Sequence, residues 1–239
     1  MDRPRVLSEG REMPKAVVLL SGGLDSSTVL AMALEKEYDV VALTFDYGQK
    51  HSRELESASS VARHYGVIQI VLRLDLGKFA NSSLTDESQE VPQDRARSEM
   101  ASDIPSTYVP ARNLIFLSVA SSLAESISAE AVFIAANAVD FSGYPDCTPE
   151  FIEAFQTTLD IGTRAGRDGR SVKVLAPIIR FTKGDIVREA VRLHVPLELT
   201  WSCYKGGKLA CGRCDSCILR LQGFSDAGVK DPIAYEVES

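Results

Sequence analysis

The chain has 239 residues, 45% of them hydrophobic and 25% charged, a globular average that supports a large domain with a substantial core. Its formal charge of −7 argues against a broad nucleic-acid surface, which needs clustered Lys and Arg, and leaves room only for a local basic groove. No apolar run reaches the length of a membrane span, and the polar start MDRPRVLSEGREMPK lacks a signal-peptide pattern, so the cytoplasm is the expected compartment.

Residues 1–14 are expected to form a flexible extension. Ala16 to Leu20 then reads as a buried parallel strand that stops at Ser21-Gly22-Gly23. After the turn, Val29, Leu30, Ala33 and Leu34 recur at helical spacing within residues 28–37. Val40 to Phe45 is a second strand, ending in Asp46-Tyr47-Gly48-Gln49, and the next helix carries Leu55, Ala58, Ala62 and Tyr65 on one face. Ile68, Ile70, Leu72 and Leu74 alternate as a strand, and 114–124 is apolar nearly all round, which predicts a buried helix. Ala131 to Ala136 is a strand, Ile152, Phe155 and Leu159 mark a helix, and Val172 to Leu175 is the last parallel strand. Thr182-x-x-Asp185 reads as a helix cap ahead of Ile186, Val187, Ala190 and Val191. This βα alternation predicts an α/β fold with a doubly wound parallel sheet over 15–195, followed by a smaller cysteine-bearing unit over 196–239. Residues 75–110 break the rhythm. They are polar, charged and interrupted by proline, which suits a lid that orders on ligand binding, with simple disorder as the alternative.

In open parallel sheets ligands bind beyond the carboxyl ends of the strands. A glycine-rich turn that feeds a helix N-terminus offers unpaired N–H groups and positive dipole to an anion. Gly22 and Gly23 let the backbone approach phosphate oxygens, and Ser21, Ser26, Ser27 and Thr28 add hydroxyls. Asp25 repels phosphate, so it must hold a metal ion or position a neighbouring turn. The chain contains neither a GxxxxGK[ST] loop nor a GxGxxG fingerprint. The plain alternative is an N-capping turn, which uses the same residue types.

Four of the five cysteines crowd together as Cys203-x7-Cys211-x2-Cys214-x2-Cys217. Four thiolates are the set that a structural Zn²⁺ takes, and nearby Lys205, Lys208, Arg213 and Arg220 could offset the charge. An iron–sulfur cluster suits the same spacing, and redox chemistry is a further alternative. Cys147 stands apart.

With these residues in hand, the SGGxDS turn resembles the PP-loop of ATP pyrophosphatases. FDYGQKH (45–51), YVPARN (108–113), NAVDFSGYPDC (137–147), TKGDI (182–186) and SCYKGGKLACGRCDSCILRLQGF (202–224) together resemble the 7-cyano-7-deazaguanine synthase family of queuosine biosynthesis, from about residue 15 to 232. The resemblance implies an ATP-dependent carbon–nitrogen ligase. It would convert 7-carboxy-7-deazaguanine and ammonia into a nitrile through adenylylated acid and amide intermediates, releasing AMP and pyrophosphate. It also implies a homodimer with small-molecule partners and no nucleic acid. By the same resemblance, ATP would lie along Leu19, Leu20, Ser21, Gly22, Gly23, Leu24, Asp25, Ser26, Ser27, Thr28 and Val29, with adenine near Thr44 and Phe45 and Mg²⁺ accompanying the phosphates. Ser21, Asp25, Ser26, Lys183 and Arg112 are the expected catalytic residues. For Lys183 the contest is with mere solvation, and for Arg112 with a helix-start salt bridge. The substrate is expected against Tyr47, Gln49, Tyr108, Asn113, Asn137, Asp140, Tyr144 and Asp146, where an Asp or Asn could read the guanine-like edge. Phe141 is a further stacking candidate, and zinc would occupy the four clustered cysteines.

Two other readings compete. A tRNA-thiolating relative needs catalytic cysteines and a basic surface, which the acidic charge and the single outlying cysteine disfavour. A nucleotide-sensing DNA module needs a basic face that this sequence does not display.

Overall fold

The computed structural model describes residues 13–100, 104–139 and 143–236. Asp140, Phe141 and nearly all of the expected N-terminal extension lie outside the described residues. Five parallel strands form one sheet in the order β3-β2-β1-β4-β5: β1 (Lys15–Leu19), β2 (Asp39–Asp46), β3 (Ile68–Arg73), β4 (Ala131–Phe133) and β5 (Lys173–Leu175). The helices are α1 (Leu24–Glu35), α2 (Arg53–Tyr65), α3 (Arg97–Met100), α4 (Arg112–Ser126), α5 (Pro149–Gly162), α6 (Arg164–Arg167), α7 (Lys183–Arg192) and α8 (Asp215–Ala227). Alternation along β1 divides the core. Ala16, Val18 and Leu20 pack toward α1, α2 and α7, whereas Val17 and Leu19 pack toward α4 and α5. The chain is therefore doubly wound around β1, and the strand order reverses beside that strand.

Three local readings change. Helix α1 starts at Leu24 rather than near Thr28, because Ser27 and Thr28 are buried without being apolar and so escape a hydrophobic pattern. The Thr28 hydroxyl donates to the Leu24 carbonyl at 2.8 Å, which satisfies it inside the helix. Helix α4 is not buried all round: Leu117, Ala120, Ser121 and Ala124 form the inner face, while Leu114 is 46% exposed. Strand β3 is an edge strand, so Leu72 and Leu74 reach the core but Ile68 and Ile70 are exposed.

The described residues of the connection over 75–110 pack against the body and the cysteine region. Leu76, Ala80, Leu84 and Val109 are core residues on the α4 side. Gln93 pairs with Cys214 in an isolated antiparallel bridge, Asp94 N–H donates to the Arg213 carbonyl at 2.8 Å, and Asp94 accepts from the Arg213 guanidinium. Helix α8 packs on α7 through small residues. A Cβ on Gly223 would lie 2.4 Å from Cγ of Lys183. Arg220 is not a counter-charge for the cysteines. Its side chain is 1% exposed, pairs with Asp231 at 2.7 Å, and also donates to the Thr200 hydroxyl at 2.8 Å. This network ties α8 to the preceding loop and to the C-terminal segment.

The turn between β1 and α1 is a close approach of backbone to backbone. Gly22 has φ +84°, and an added Cβ would lie 2.4 Å from Ala58 N and 2.5 Å from the Glu54 carbonyl oxygen in α2. Its own carbonyl accepts from Trp201 N–H at 2.9 Å. Gly22→Ala combines a left-handed backbone with two backbone clashes, so a loss of at least about 2 kcal/mol in urea unfolding is expected.

Candidate active site

A cavity of about 240 Å³ opens beyond the carboxyl ends of β1, β2 and β4. Leu19, Leu20, Ser21, Gly23, Leu24, Asp25 and Ser26 from the first turn line it, with Phe45, Tyr47 and Gln49 from the end of β2. Arg112, Asn113, Asn137, Tyr144 and Lys183 complete the expected residues that it brings together. Gly22, Ser27, Thr28 and Val29 stand behind the lining in the turn and helix. Thr44 also lies behind it, donating to the Leu20 carbonyl at 2.8 Å and accepting from Gln69 at 2.9 Å.

The first turn is wound on its own hydroxyls. Ser21 and Ser26 hydroxyl oxygens lie 2.9 Å apart, and Ser21 N–H donates to the Ser26 hydroxyl at 3.2 Å. No side chain caps the N-terminus of α1 at Gly23, so its first N–H groups face the cavity without an internal acceptor. Lys183, at the first position of α7, is buried rather than solvated. Its ammonium donates to both carboxylate oxygens of Asp25, at 2.8 and 2.9 Å. Asp25 thus positions a cation at the mouth of the turn. The Thr182–Asp185 capping box fixes the start of α7, and Gly223 leaves room for the lysine stem.

Across the cavity the wall is aromatic and carries one cation. The Phe45 and Phe116 rings stack with centroids 4.0 Å apart. The Arg112 guanidinium lies over the Tyr47 ring at 5.6 Å and donates to the Tyr47 hydroxyl at 3.4 Å. No ion pair to a described carboxylate holds Arg112, which removes the helix-start salt bridge from contention. Burial opposes its charge, but the surrounding Tyr47, Tyr144 and Tyr204 hydroxyls and the Cys147 thiol keep its pKa above the usual value. Burial pushes the Tyr47 hydroxyl up to about 12 and the Cys147 thiol up to about 11, so both are neutral near pH 7.

Several expected substrate contacts are committed to the protein itself. Gln49 accepts from Tyr47 N–H at 2.8 Å. Asn137 donates to the carbonyls of Ile178 and Phe181 at 2.9 and 2.7 Å and accepts from Val139 N–H at 3.0 Å. Asp146 accepts from Asn113 N–H at 3.0 Å, and Asn113 donates onward to the Asp146 carbonyl at 3.0 Å and the Cys147 sulfur at 3.2 Å. Tyr108 stacks on Tyr144 at 5.8 Å, and the Tyr144 hydroxyl shares a 2.7 Å hydrogen bond with Thr107. Tyr108 and Asp146 therefore sit behind the lining.

The cavity also contains residues that the sequence pattern did not single out: Glu54, Phe116, Trp201, Ser202 and Tyr204. Arg53 covers the Trp201 ring at 4.8 Å. Burial raises the Glu54 carboxyl to about 7, with Arg112 pulling it down and the Cys203 sulfur pushing it up. An acidic residue at the start of a helix reads as ordinary dipole compensation in a sequence, which hides this position.

The four clustered cysteines are buried, and their sulfur atoms all lie within 4.8 Å of one another, a group that can hold a metal ion. Backbone N–H groups rather than cationic side chains face them. Lys205 and Cys211 donate to the Cys203 sulfur at 3.4 and 3.3 Å, and Arg213 and Cys214 to the Cys211 sulfur at 3.5 and 3.3 Å. Lys205 and Lys208 are exposed, and Arg213 pairs with Asp94.

The family described as queuosine biosynthesis protein QueC matches residues 15–228. Curated relatives named 7-cyano-7-deazaguanine synthase are similar along almost the whole chain. That of Thermoplasma acidophilum is 54% identical over 226 residues, covering 94% of this chain and 93% of its own. Those of Acetivibrio thermocellus and Nostoc sp. are each 50% identical, over 223 and 222 residues, covering 93% and 92% of this chain and 98% and 97% of theirs.

A ¹³C-carboxyl NMR titration should place Glu54 near pH 7, well above exposed carboxylates. Because Arg112 holds the ionised form, Arg112→Met should move that midpoint upward.

Proposed function

The chain belongs to the queuosine biosynthesis protein QueC family, and from that footing we propose that it makes 7-cyano-7-deazaguanine from 7-carboxy-7-deazaguanine, ammonia and ATP. The observation that carries the reading is the meeting, in one cavity, of an uncapped helix N-terminus, a buried lysine and, on an aromatic wall, an arginine with no carboxylate partner among the described residues. The first two suit the phosphates of ATP, with Mg²⁺ accompanying them, and the third suits an oxygen-bearing planar ring.

A carboxylate is a poor electrophile and an amide oxygen a poor leaving group, and adenylylation corrects both. A substrate carboxylate oxygen attacks the α-phosphorus of ATP and pyrophosphate leaves. Ammonia then attacks the acyl carbon, loses a proton and expels AMP, giving the amide. The amide oxygen attacks the α-phosphorus of a second ATP, and a second pyrophosphate leaves. Loss of the nitrogen protons with expulsion of AMP leaves the nitrile. The N–H groups at the start of α1 and the Ser21 and Ser26 hydroxyls would bind the phosphate oxygens, and Lys183, held by Asp25, would neutralise charge that grows on the leaving pyrophosphate. The role of this chain is mainly to align two reactants and exclude water.

We assign the cysteine group to zinc. A Zn–S bond of about 2.3 Å puts tetrahedral sulfurs about 3.8 Å apart, and Cys211 and Cys217 stand 3.9 Å apart. An iron–sulfur cluster, with sulfides bridging several irons, needs its thiolates further apart. A closed four-sulfur site supplies folding energy to the loop that carries Trp201 and Tyr204, not chemistry.

Incubation with ATP, ammonium and the carboxylated deazaguanine should yield the nitrile by mass spectrometry, with one pyrophosphate and one AMP released for each ATP consumed. Metal-loaded protein that forms no nitrile would reject the assignment. Ser26→Ala and Lys183→Met should lower kcat by about 10²-fold or more while the fold persists. Elemental analysis should find zinc and no iron, and chelation should lower the Tm before it affects isolated ATP affinity.

A further inference from the structure

Asp25 and Glu54 are the carboxylates among the described residues that line the cavity. Lys183 occupies Asp25 through both oxygens. Glu54 feels Arg112 and Cys203 at a distance, yet no described group donates a hydrogen bond to it. This half-buried carboxyl lines the cavity with both oxygens left for donors that a ligand supplies. Two of the side chains that the sequence offered as readers of a guanine-like edge are already engaged, and Asp140 lies outside the described residues. Asn137 already uses both its amide oxygen and its amide nitrogen, and Asp146 is engaged by Asn113.

We propose that Glu54 is the specificity-determining residue for the base: its two oxygens accept from the ring N–H and the exocyclic amino group that a 2-aminopyrimidin-4-one presents side by side. Arg112, whose charge reaches the same carboxyl and whose guanidinium has no carboxylate partner among the described residues, donates to the ring carbonyl adjacent to that N–H. An acceptor beside a donor matches the order of groups along this edge, and it mismatches the edge of adenine, whose amino group would meet the guanidinium. Tyr47, beneath Arg112, and Tyr204 bring flat apolar surface to the same region. The assignment places the base on the α2 side of the cavity and leaves the Lys183 side to ATP. It rests on the deazaguanine substrate proposed above.

Titration calorimetry with 7-deazaguanine and with 7-deazahypoxanthine, which lacks only the exocyclic amino group, tests it directly. The natural protein should prefer the amino-bearing base by about tenfold or more. Glu54→Gln should reduce that ratio to within about twofold, because the amide keeps the size of the side chain but replaces one acceptor with a donor. ATP affinity and Tm should stay unchanged. Glu54→Asp, which keeps the charge and shortens the reach, should bind the base more weakly while retaining part of the preference, and it serves if the glutamine variant misfolds. An unchanged ratio in Glu54→Gln would overturn the proposal, as would a change confined to kcat, which would mean that Glu54 handles protons. Natural protein that binds 7-deazaguanine with this preference but forms no nitrile would instead sink the synthase reading and leave Glu54 as a base reader.

Discussion

The architecture depends on how closely backbone can approach backbone at Gly22. With no Cβ there, the first turn touches the Glu54 carbonyl and Ala58 N–H of α2, and from the other side it accepts the Trp201 N–H. The turn with its uncapped helix N-terminus, the helix that carries Glu54 and the loop that carries the cysteines therefore converge on one residue. Any side chain at that position would push these parts away from one another, and the cavity between them is defined by their separation. The left-handed φ and the missing side chain are two demands that glycine alone meets together.

A second constraint orders the wall beside the first turn. Lys183 is a buried cation at the start of a helix, a place where the peptide dipole disfavours positive charge. Its bidentate contact with Asp25 offsets that cost, and Gly223 of α8 provides the space for its stem. The ion pair joins α1 to α7, elements far apart in the chain, and so connects the first turn to the C-terminal half of the fold. Removal of Asp25 would leave Lys183 as an uncompensated buried charge, which is more damaging than the net worth of the pair suggests.

What the sequence made legible was local in the chain. The strand, glycine turn and helix at 16–30, the capping box at 182–185 and the cysteine spacing each fit within a short window, and the structure reproduces them. The βα alternation gave the sheet, although β3 lay hidden as an edge strand because alternation does not say whether a face is covered. The far wall of the cavity was not legible. Glu54, Trp201 and Tyr204 reach it only through the crossing of α2 with the cysteine loop, and nothing near them in sequence announces that meeting. Conversely, Gln49, Asn137 and Asp146 follow strands or open helices, where an amide or carboxylate may equally serve a ligand or the backbone. Here their hydrogen bonds go to the backbone. Asp25 needed a reason to stand in a glycine-rich turn expected to receive phosphate, and the structure pairs it with a lysine far along the chain.

The short pairing between Gln93 and Cys214 couples two regions that composition alone would keep separate. One end of the polar connection that follows β3 is clamped to the sulfur-bearing loop, while Leu84, on the same connection, forms part of the cavity surface. The geometry of the four sulfurs and the placement of Leu84 are therefore linked through one continuous run of backbone. The cysteine loop is thus joined by backbone to a stretch of chain that also lines the chamber, while none of its four sulfurs is part of that lining.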